Sequence, residues 1–279
     1  GSTNTVGFDT GASGEYTFSV NTAEKMRLTS TGLGIGTSSP TSTLSLEPPA
    51  AISNLETCIL DIGGVVADDA VGTKSSIGFG YVSTARPIAP AMIGMETTYT
   101  GGGTYGDLYF ATRSVSTTTA PTERMRINSA GIVTKPYQPA FLAYPTATQT
   151  NIAVGTSTIV LNAERFDQGG DFNTGTSTFT APVTGKYQFN LNIRIGATLD
   201  TAAAYYRTYI TTSNHIYHPA IIEPNFTADL NYYNLCFSVL ADMDAGDTAY
   251  AQVQQAGGGQ QTDIDNTPAN TNFSGYLVC

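Results

Sequence analysis

Both histidines of the chain sit in one tetrapeptide, His215-Ile216-Tyr217-His218. The surrounding segment, Ser213–Asn231, adds Asn225, Phe226 and Asn231. Aromatic rings beside amides and imidazoles suit sugar recognition. A ring stacks on a pyranose face while side-chain amides take the hydroxyls. The histidine spacing also reads as a metal motif, but a weak one, because a strand turns the two rings to opposite faces. The plain alternative is a loop packed against its own domain or a neighbouring copy.

A second polar segment is Gly257-Gly258-Gly259-Gln260-Gln261-Thr262-Asp263-Ile264-Asp265-Asn266. Its glycines predict a mobile or tightly turned loop. No helix follows, so it is not a phosphate cradle. Asp263, Asp265 and Asn266 offer oxygen ligands of the kind calcium takes, without any EF-hand pattern. The alternative is a solvated acidic loop. The expected cofactor is therefore none, with calcium at Asp263 and Asp265 the one candidate. Asp242, Asp244 and Asp247 read as a solvated turn. No Gly-x-Ser-x-Gly nucleophile turn is present and both histidines fall in one segment, so no catalytic residue is assigned. Cys58, Cys236 and Cys279 are too few and scattered for a disulfide framework. Cys236, between Leu235 and Phe237, reads as a buried thiol.

The bulk composition narrows the class of element that carries these segments. Hydrophobic residues make up 41% of the 279 and charged residues only 12%, about half the usual charged share. Thr, Ser, Asn and Gly replace the missing charge, which favours strands and turns and long-lived extracellular β-structure. The net charge is −10. Residues 139–279 carry four bases (Arg165, Lys186, Arg194, Arg207) against eleven acids, a net of −7. No basic stripe exists, so nucleic acid and anionic membrane surfaces are not expected partners. No apolar run is long enough to predict a membrane span. Gly1-Ser2 reads as a cloning or protease scar at the start of a truncated shaft.

Helical periodicity is nearly missing, and short strand-like runs dominate. An internal duplication is visible. Glu24-Lys25-Met26-Arg27-Leu28-Thr29-Ser30-Thr31-Gly32-Leu33 matches Glu123-Arg124-Met125-Arg126-Ile127-Asn128-Ser129-Ala130-Gly131-Ile132. Upstream, Val6–Thr10 resembles Ile93–Thr97, and Gly14–Phe18 resembles Gly106–Phe110. In each unit one strand face is mostly apolar and the other polar. A single strand of this kind cannot bury its apolar face alone. With the continuation Leu33-Gly34-Ile35-Gly36-Thr37-Ser38-Ser39-Pro40, these units look like the shaft modules of phage and large-virus tail fibres. The resemblance covers roughly residues 1–135. It implies three chains wound together around a shared core. Val133-Thr134-Lys135-Pro136 replaces that continuation in the second copy, so the shaft is expected to end there. Pro136 and Pro139 mark a boundary. The expected domains are a partial shaft repeat (1–46), a second repeat with linker (47–138) and a globular head (139–279).

The head reads as eight to ten short strands, among them 140–144, 158–161, 177–181, 185–195, 203–212, 232–240, 248–255 and 271–278. Tyr187, Phe189, Leu191, Ile193 and Ile195 share one face and are the expected core. Many strands without helices argue for a sandwich or jelly roll. Pro139-Ala140-Phe141, Phe179-Thr180-Ala181-Pro182-Val183-Thr184-Gly185-Lys186-Tyr187-Gln188-Phe189, Ala245-Gly246-Asp247-Thr248 and Phe273-Ser274-Gly275-Tyr276-Leu277-Val278 are similar, in order and spacing, to the globular head of complement component 1q. That resemblance implies a homotrimer of binding modules rather than enzymes. It also implies that Ser213–Asn231 and Gly257–Asn270 lie at the free apex.

Together these readings predict an all-β fold, with intertwined trimeric β shaft modules followed by a jelly-roll β-sandwich head. The expected function is host adhesion by a virion fibre outside the cell. Expected partners are other copies of the chain, the rest of the fibre and virion, and a host-surface glycan or protein. Receptor contact falls on His215, Tyr217, His218, Asn225, Phe226, Gln260, Gln261, Asp263, Asp265 and Asn266. Alternatives are a trimerisation and folding cap without receptor contact, and a host-polysaccharide-degrading spike. A secreted complement-like protein is a further one, opposed by the missing Gly-X-Y stalk.

Overall fold

A computed structural model describes residues 8–10, 15–47, 60, 70–80, 88–100, 105–116 and 119–279. Every regular element among them is a strand. The chain falls into two compact units, Gly1–Pro121 and Thr122–Cys279.

The first unit holds two small meanders. One is β1 (Phe8–Thr10), β2 (Tyr16–Val20), β3 (Ala23–Leu28), β4 (Leu33–Ile35) and β5 (Leu44–Leu46), paired in chain order. Asn21 and Thr22, at φ 51° and 66°, make the two-residue turn that matches the twist of a hairpin. Register then writes two apolar rows across four strands. Tyr16, Leu28, Leu33 and Leu44 form one row, and Phe18, Met26, Ile35 and Leu46 the other. A bulge at Lys25 carries Glu24 to the face opposite these rows, beside Arg27. There the guanidinium donates to both Glu24 oxygens at 2.8 and 2.5 Å. The other meander contains β6 (Lys74–Phe79), β7 (Ala91–Tyr99) and β8 (Tyr105–Thr112). Ile77, Ile93 and Phe110 line up across it, as do Met95 and Leu108.

The second unit opens with a hairpin, β9 (Thr122–Ile127) and β10 (Val133–Thr134). It reproduces details of β3–β4. Arg126 donates to both oxygens of Glu123 at 2.7 and 2.5 Å. Thr29 Oγ1 accepts the N–H of Thr31 and Gly32, and Asn128 Oδ1 accepts those of Ala130 and Ile132. The two hairpins thus share an Arg–Glu ion pair and a side-chain-closed turn.

A two-layer sandwich follows. Its strands are β11 (Ala140–Tyr144), β12 (Gln149–Ile152), β13 (Gly155–Thr158), β14 (Ala163–Asp167), β15 (Phe172–Asn173), β16 (Thr178–Thr180) and β17 (Gly185–Leu199). They continue through β18 (Ala203–Thr212), β19 (Ile216–Tyr217), β20 (Ile221–Ile222), β21 (Leu230–Met243), β22 (Thr248–Gly257), β23 (Thr262–Ile264) and β24 (Asn272–Leu277). One sheet runs β12-β23-β17-β24-β11-β14, with β21 along the other side of β17. The second runs β15-β16-β22-β18-β19, with β13 and β20 added to β22 and β18. This strand order is a jelly roll. Tyr187, Phe189, Leu191, Ile193 and Ile195 all point inward and are buried. Phe141 stacks on Phe179 at 4.9 Å and meets Phe273 edge-on at 5.2 Å. Gly275 leaves room for these rings, since a Cβ there would sit 2.5 Å from Phe189.

Cys236 corrects one expectation. It lies on the outward face of β21 and is exposed, as is Cys279. Its apolar neighbours Leu235 and Phe237 take the inward positions, so alternation rather than local hydrophobicity decides its side. Cys58 lies outside the described residues.

Candidate functional site

The sandwich has two distinct ends. At one the chain enters and leaves: Leu277 N–H donates to Pro139 O at 3.0 Å and Lys186 N–H to Cys279 O at 2.8 Å. The acidic turn joins this end, with Ala181 N–H on Asp247 O and Asp244 N–H on Asp247 Oδ2. At the far end β17 runs into β18 through Asp200, and β22 runs into β23 through the triple glycine.

Asp200 organises the far end. It is 3% exposed. Oδ1 accepts the N–H of Ala202 at 2.8 Å, and Oδ2 accepts those of Gly259 and Gln260 at 2.8 and 2.9 Å. These N–H groups, with Gln260 and Ala202 foremost, hold its carboxyl below the ordinary carboxylate value. Gly257 and Gly258 turn through φ 74° and 86°. A Cβ on Gly258 would lie 2.4 Å from Asp200 Oδ2, so glycine permits both the turn and the approach. Asp229 braces the same loop. It accepts Thr201 N–H and hydroxyl at 2.9 and 2.7 Å and the Gln260 amide at 2.7 Å. The loop is tightly turned, and Gln260 spends its side chain on Asp229. Gln261 is exposed at the loop's end.

Beyond the loop, Thr262 and Ile264 are buried, so Asp263 and Asp265 take the outward side. They form, with Thr148, Gly196, Tyr232 and Asn266, an open cleft of about 320 Å³. Tyr232 is 64% exposed, with the Arg194 guanidinium 5.6 Å from its ring centre. Asp263 Oδ1 accepts the N–H of Asn151 at 2.8 Å, which leaves Oδ2 uncommitted. Asp265 uses Oδ1 for Thr267 N–H at 2.6 Å and Oδ2 for the Asn270 amide at 3.3 Å, with Arg194 at 3.6 Å. Burial raises its carboxyl, but these donors and Arg194 outweigh that and lower it. Asn266 bridges Thr148 and Thr146. An exposed ring beside a carboxylate, an amide and a hydroxyl can stack on a sugar and hold its hydroxyls. Tyr232 was not singled out in the sequence, where it reads only as the start of a strand.

The segment Ser213–Asn231 does not lie at one end. Asn225 and Phe226 are at the far end, with Phe226 6.3 Å from Tyr233. His215, Tyr217 and His218 are at the opposite end, where Asn214 donates to Asp247 at 2.6 Å. The connection climbs the full height of the sandwich as β19 and β20. The two strand-favouring apolar pairs, Ile216-Tyr217 and Ile221-Ile222, were the sequence signal for that climb. Near the chain-terminal end, His215–Pro219 line a groove of about 390 Å³ with Ser238 and Val239. The His215 ring lies against Tyr217 at 4.8 Å and that of His218 against Tyr209 at 5.4 Å. Among the described residues no three His, Cys, Asp or Glu side chains converge as a metal site would require.

The strand order and the two packed sheets define a jelly-roll domain. Residues 140–278 match the C1q domain family, so the C-terminal half of the chain is a C1q-type globular domain. Solved structures similar to this half include the globular domain of zebrafish complement 1qA protein, at 17% identity over 51% of this chain and 98% of that one, with a TM-score of 0.38. Murine APRIL is similar at 8% identity over 50% and 99%, with a TM-score of 0.38. Eiger TNF from S. frugiperda is similar at 11% over 51% and 93%, with a TM-score of 0.36. No curated protein sequence matches the chain.

Proposed function

We propose that the chain is the distal part of a trimeric viral or phage fibre, carried on the virion, and that the far end of its C1q-type head binds a host-surface receptor. C1q-type domains commonly trimerise and are typically binding or structural modules. Self-association is supported by the N-terminal sheets. Tyr16, Leu28, Ile35 and Leu44 are 47, 44, 42 and 52% exposed although they share one apolar face. Such a contiguous apolar face is costly to leave in water, and copies of the chain would cover it. In the head, Phe166, Leu240 and Tyr276 are exposed on the outward face of the first sheet and suit the same role.

Receptor binding is carried by the cleft of Tyr232, Asp263 and Asn266, which lies at the end of the sandwich away from Pro139 and Cys279. The test is adsorption of the trimeric chain to a panel of host cells, with Tyr232→Ala and Asp263→Ala as variants. Loss of adsorption in trimers that still sediment as wild type supports the reading. Undiminished adsorption by both variants, or none by the wild type to any host, removes it. The exposed Phe166, Leu240 and Tyr276 also favour a second reading, in which the head serves only to register three chains. That reading predicts that their substitution dissolves the trimer while the cleft variants change nothing.

A further inference from the structure

The outward face of the second sheet carries a separate binding platform. On β18 the buried positions are Tyr206, Thr208 and Ile210, so Tyr205, Arg207 and Tyr209 point outward. Register places Gln254 and Ile221 on either side of Arg207, and Gln252 beside Tyr209. The amides are oriented by their neighbours. Gln254 Oε1 accepts the Tyr209 hydroxyl, and Gln252 Oε1 accepts Thr211 Oγ1 at 2.8 Å. With each Oε1 turned to a hydroxyl donor, neither amide NH₂ group makes a hydrogen bond of its own among the described residues. The Arg207 guanidinium lies 4.8 Å from the Tyr205 ring centre. Among the described residues it forms no ion pair, and its buried Nε meets no acceptor.

This is unusual in a head with eleven acids and four bases. Lys186 and Arg194 each have a carboxylate partner. Among the described residues Arg165 has none, but it is exposed to water. Arg207 is half-buried, and a buried donor without an acceptor is costly. The uncommitted polar groups of the platform's core, two amide NH₂ groups and one guanidinium, are all donors. Tyrosine rings flank them along the strand. Donors beside stacking surfaces fit a sugar that brings its own anionic acceptor.

We propose that this platform binds a carboxylated sugar, with the carboxylate on Arg207, the ring on Tyr205 or Tyr209, and hydroxyls on Gln252 and Gln254. The inference rests on the head being a surface-binding module but uses a face other than the far-end cleft. Sialic acid, from cell-surface glycans, and glucuronic acid, from polysaccharide coats, share this chemistry. The full chain is titrated with each free sugar, with each methyl ester and with galactose, read by saturation-transfer NMR. At least one acid binds, and its ester and the Arg207→Gln variant each lose about ten- to a hundred-fold, the span of one charge-assisted contact. The acid that binds identifies the source. Absence of binding by both acids at millimolar concentration, or equal binding of acid and ester, overturns the proposal. The ester comparison uses unaltered protein and so decides the matter even if Arg207→Gln does not fold. Adsorption to host cells is scored separately. Its loss in Tyr232→Ala with sugar binding intact would leave the platform standing and assign adhesion to the cleft.

Discussion

Replacing Asp200 by alanine should unhook the far end of the head. The side chain is 3% exposed and ties three backbone N–H groups, those of Ala202, Gly259 and Gln260. Hydrogen bonds to a charged acceptor are each worth about 1.5–3 kcal/mol, but donors freed at an exposed loop regain water, so the net cost is about 2–3 kcal/mol. For a unit of this size each kcal/mol lowers the melting temperature by about 2–4 °C, so a drop of roughly 5–10 °C is expected near neutral pH. The effect has a pH signature. The carboxyl is held below its ordinary value of 3.8 by the N–H groups of Gln260, Ala202 and Gly259, against burial and the charge of Asp229. A depressed folded value means that the stabilisation is complete above the unfolded value. It is lost as pH falls through the folded one. Wild-type melting temperature should therefore fall steeply below about pH 4, and Asp200→Asn should flatten part of that fall. Asp229, lowered by Thr201 and Gln260, and Asp265, lowered by its donors and Arg194 against burial, add to the fall with the same sign. Calorimetry across pH measures both. An Asp200→Ala protein melting with the wild type, or an unchanged acid limb in Asp200→Asn, refutes the reasoning.

Two further outcomes follow from the head. Gly275→Ala places a Cβ 2.5 Å from Phe189 and 2.9 Å from Phe141, inside a stacked cluster that cannot yield, and should cost about 1–3 kcal/mol in denaturant unfolding. Calcium at millimolar concentration should leave the melting temperature unchanged, because both oxygens of Asp265 are engaged and Asp263 keeps only one free; a clear rise would instead support calcium at Asp263 and Asp265.

The head was legible because alternation is local. Tyr187 to Ile195 fix the buried face of β17 without knowledge of any partner, and Ala140–Tyr144 and Ala203–Thr212 were read with their observed bounds. The site was legible only in part. Asp263, Asp265 and Asn266 are close in sequence and stay close in space. Tyr232 joins them through β21, about thirty positions earlier, and only the β17–β21 and β17–β23 pairings bring it there. Such long-range register has no signature in a single stretch of chain. The histidines were misplaced for a related reason. A connection reads as one loop until its short strands β19 and β20 are known to climb an edge. Asp200 was overlooked because its role depends on backbone N–H groups sixty residues away, which no side-chain pattern reveals.

The two parts of the chain meet the demand for a buried core in different ways. The head closes its own, with Phe141, Phe179, Phe189 and Phe273 buried within one chain. The β2–β5 sheet does not. Its rows of Tyr16, Leu28, Leu33 and Leu44 and of Phe18, Met26, Ile35 and Leu46 face outward together. Its order should therefore depend on assembly while that of the head does not. Leu28→Glu with Leu44→Glu places two charges on the open face and changes no residue of the head. Hydrogen exchange should then show β2–β4 losing protection while Tyr187–Ile195 keeps it. Dilution of the wild type below its association range should do the same, with sedimentation reporting the smaller species. If β2–β4 stays protected in a single chain, the apolar rows are covered by something other than another copy. If the head loses protection in step, the two units are not energetically separate.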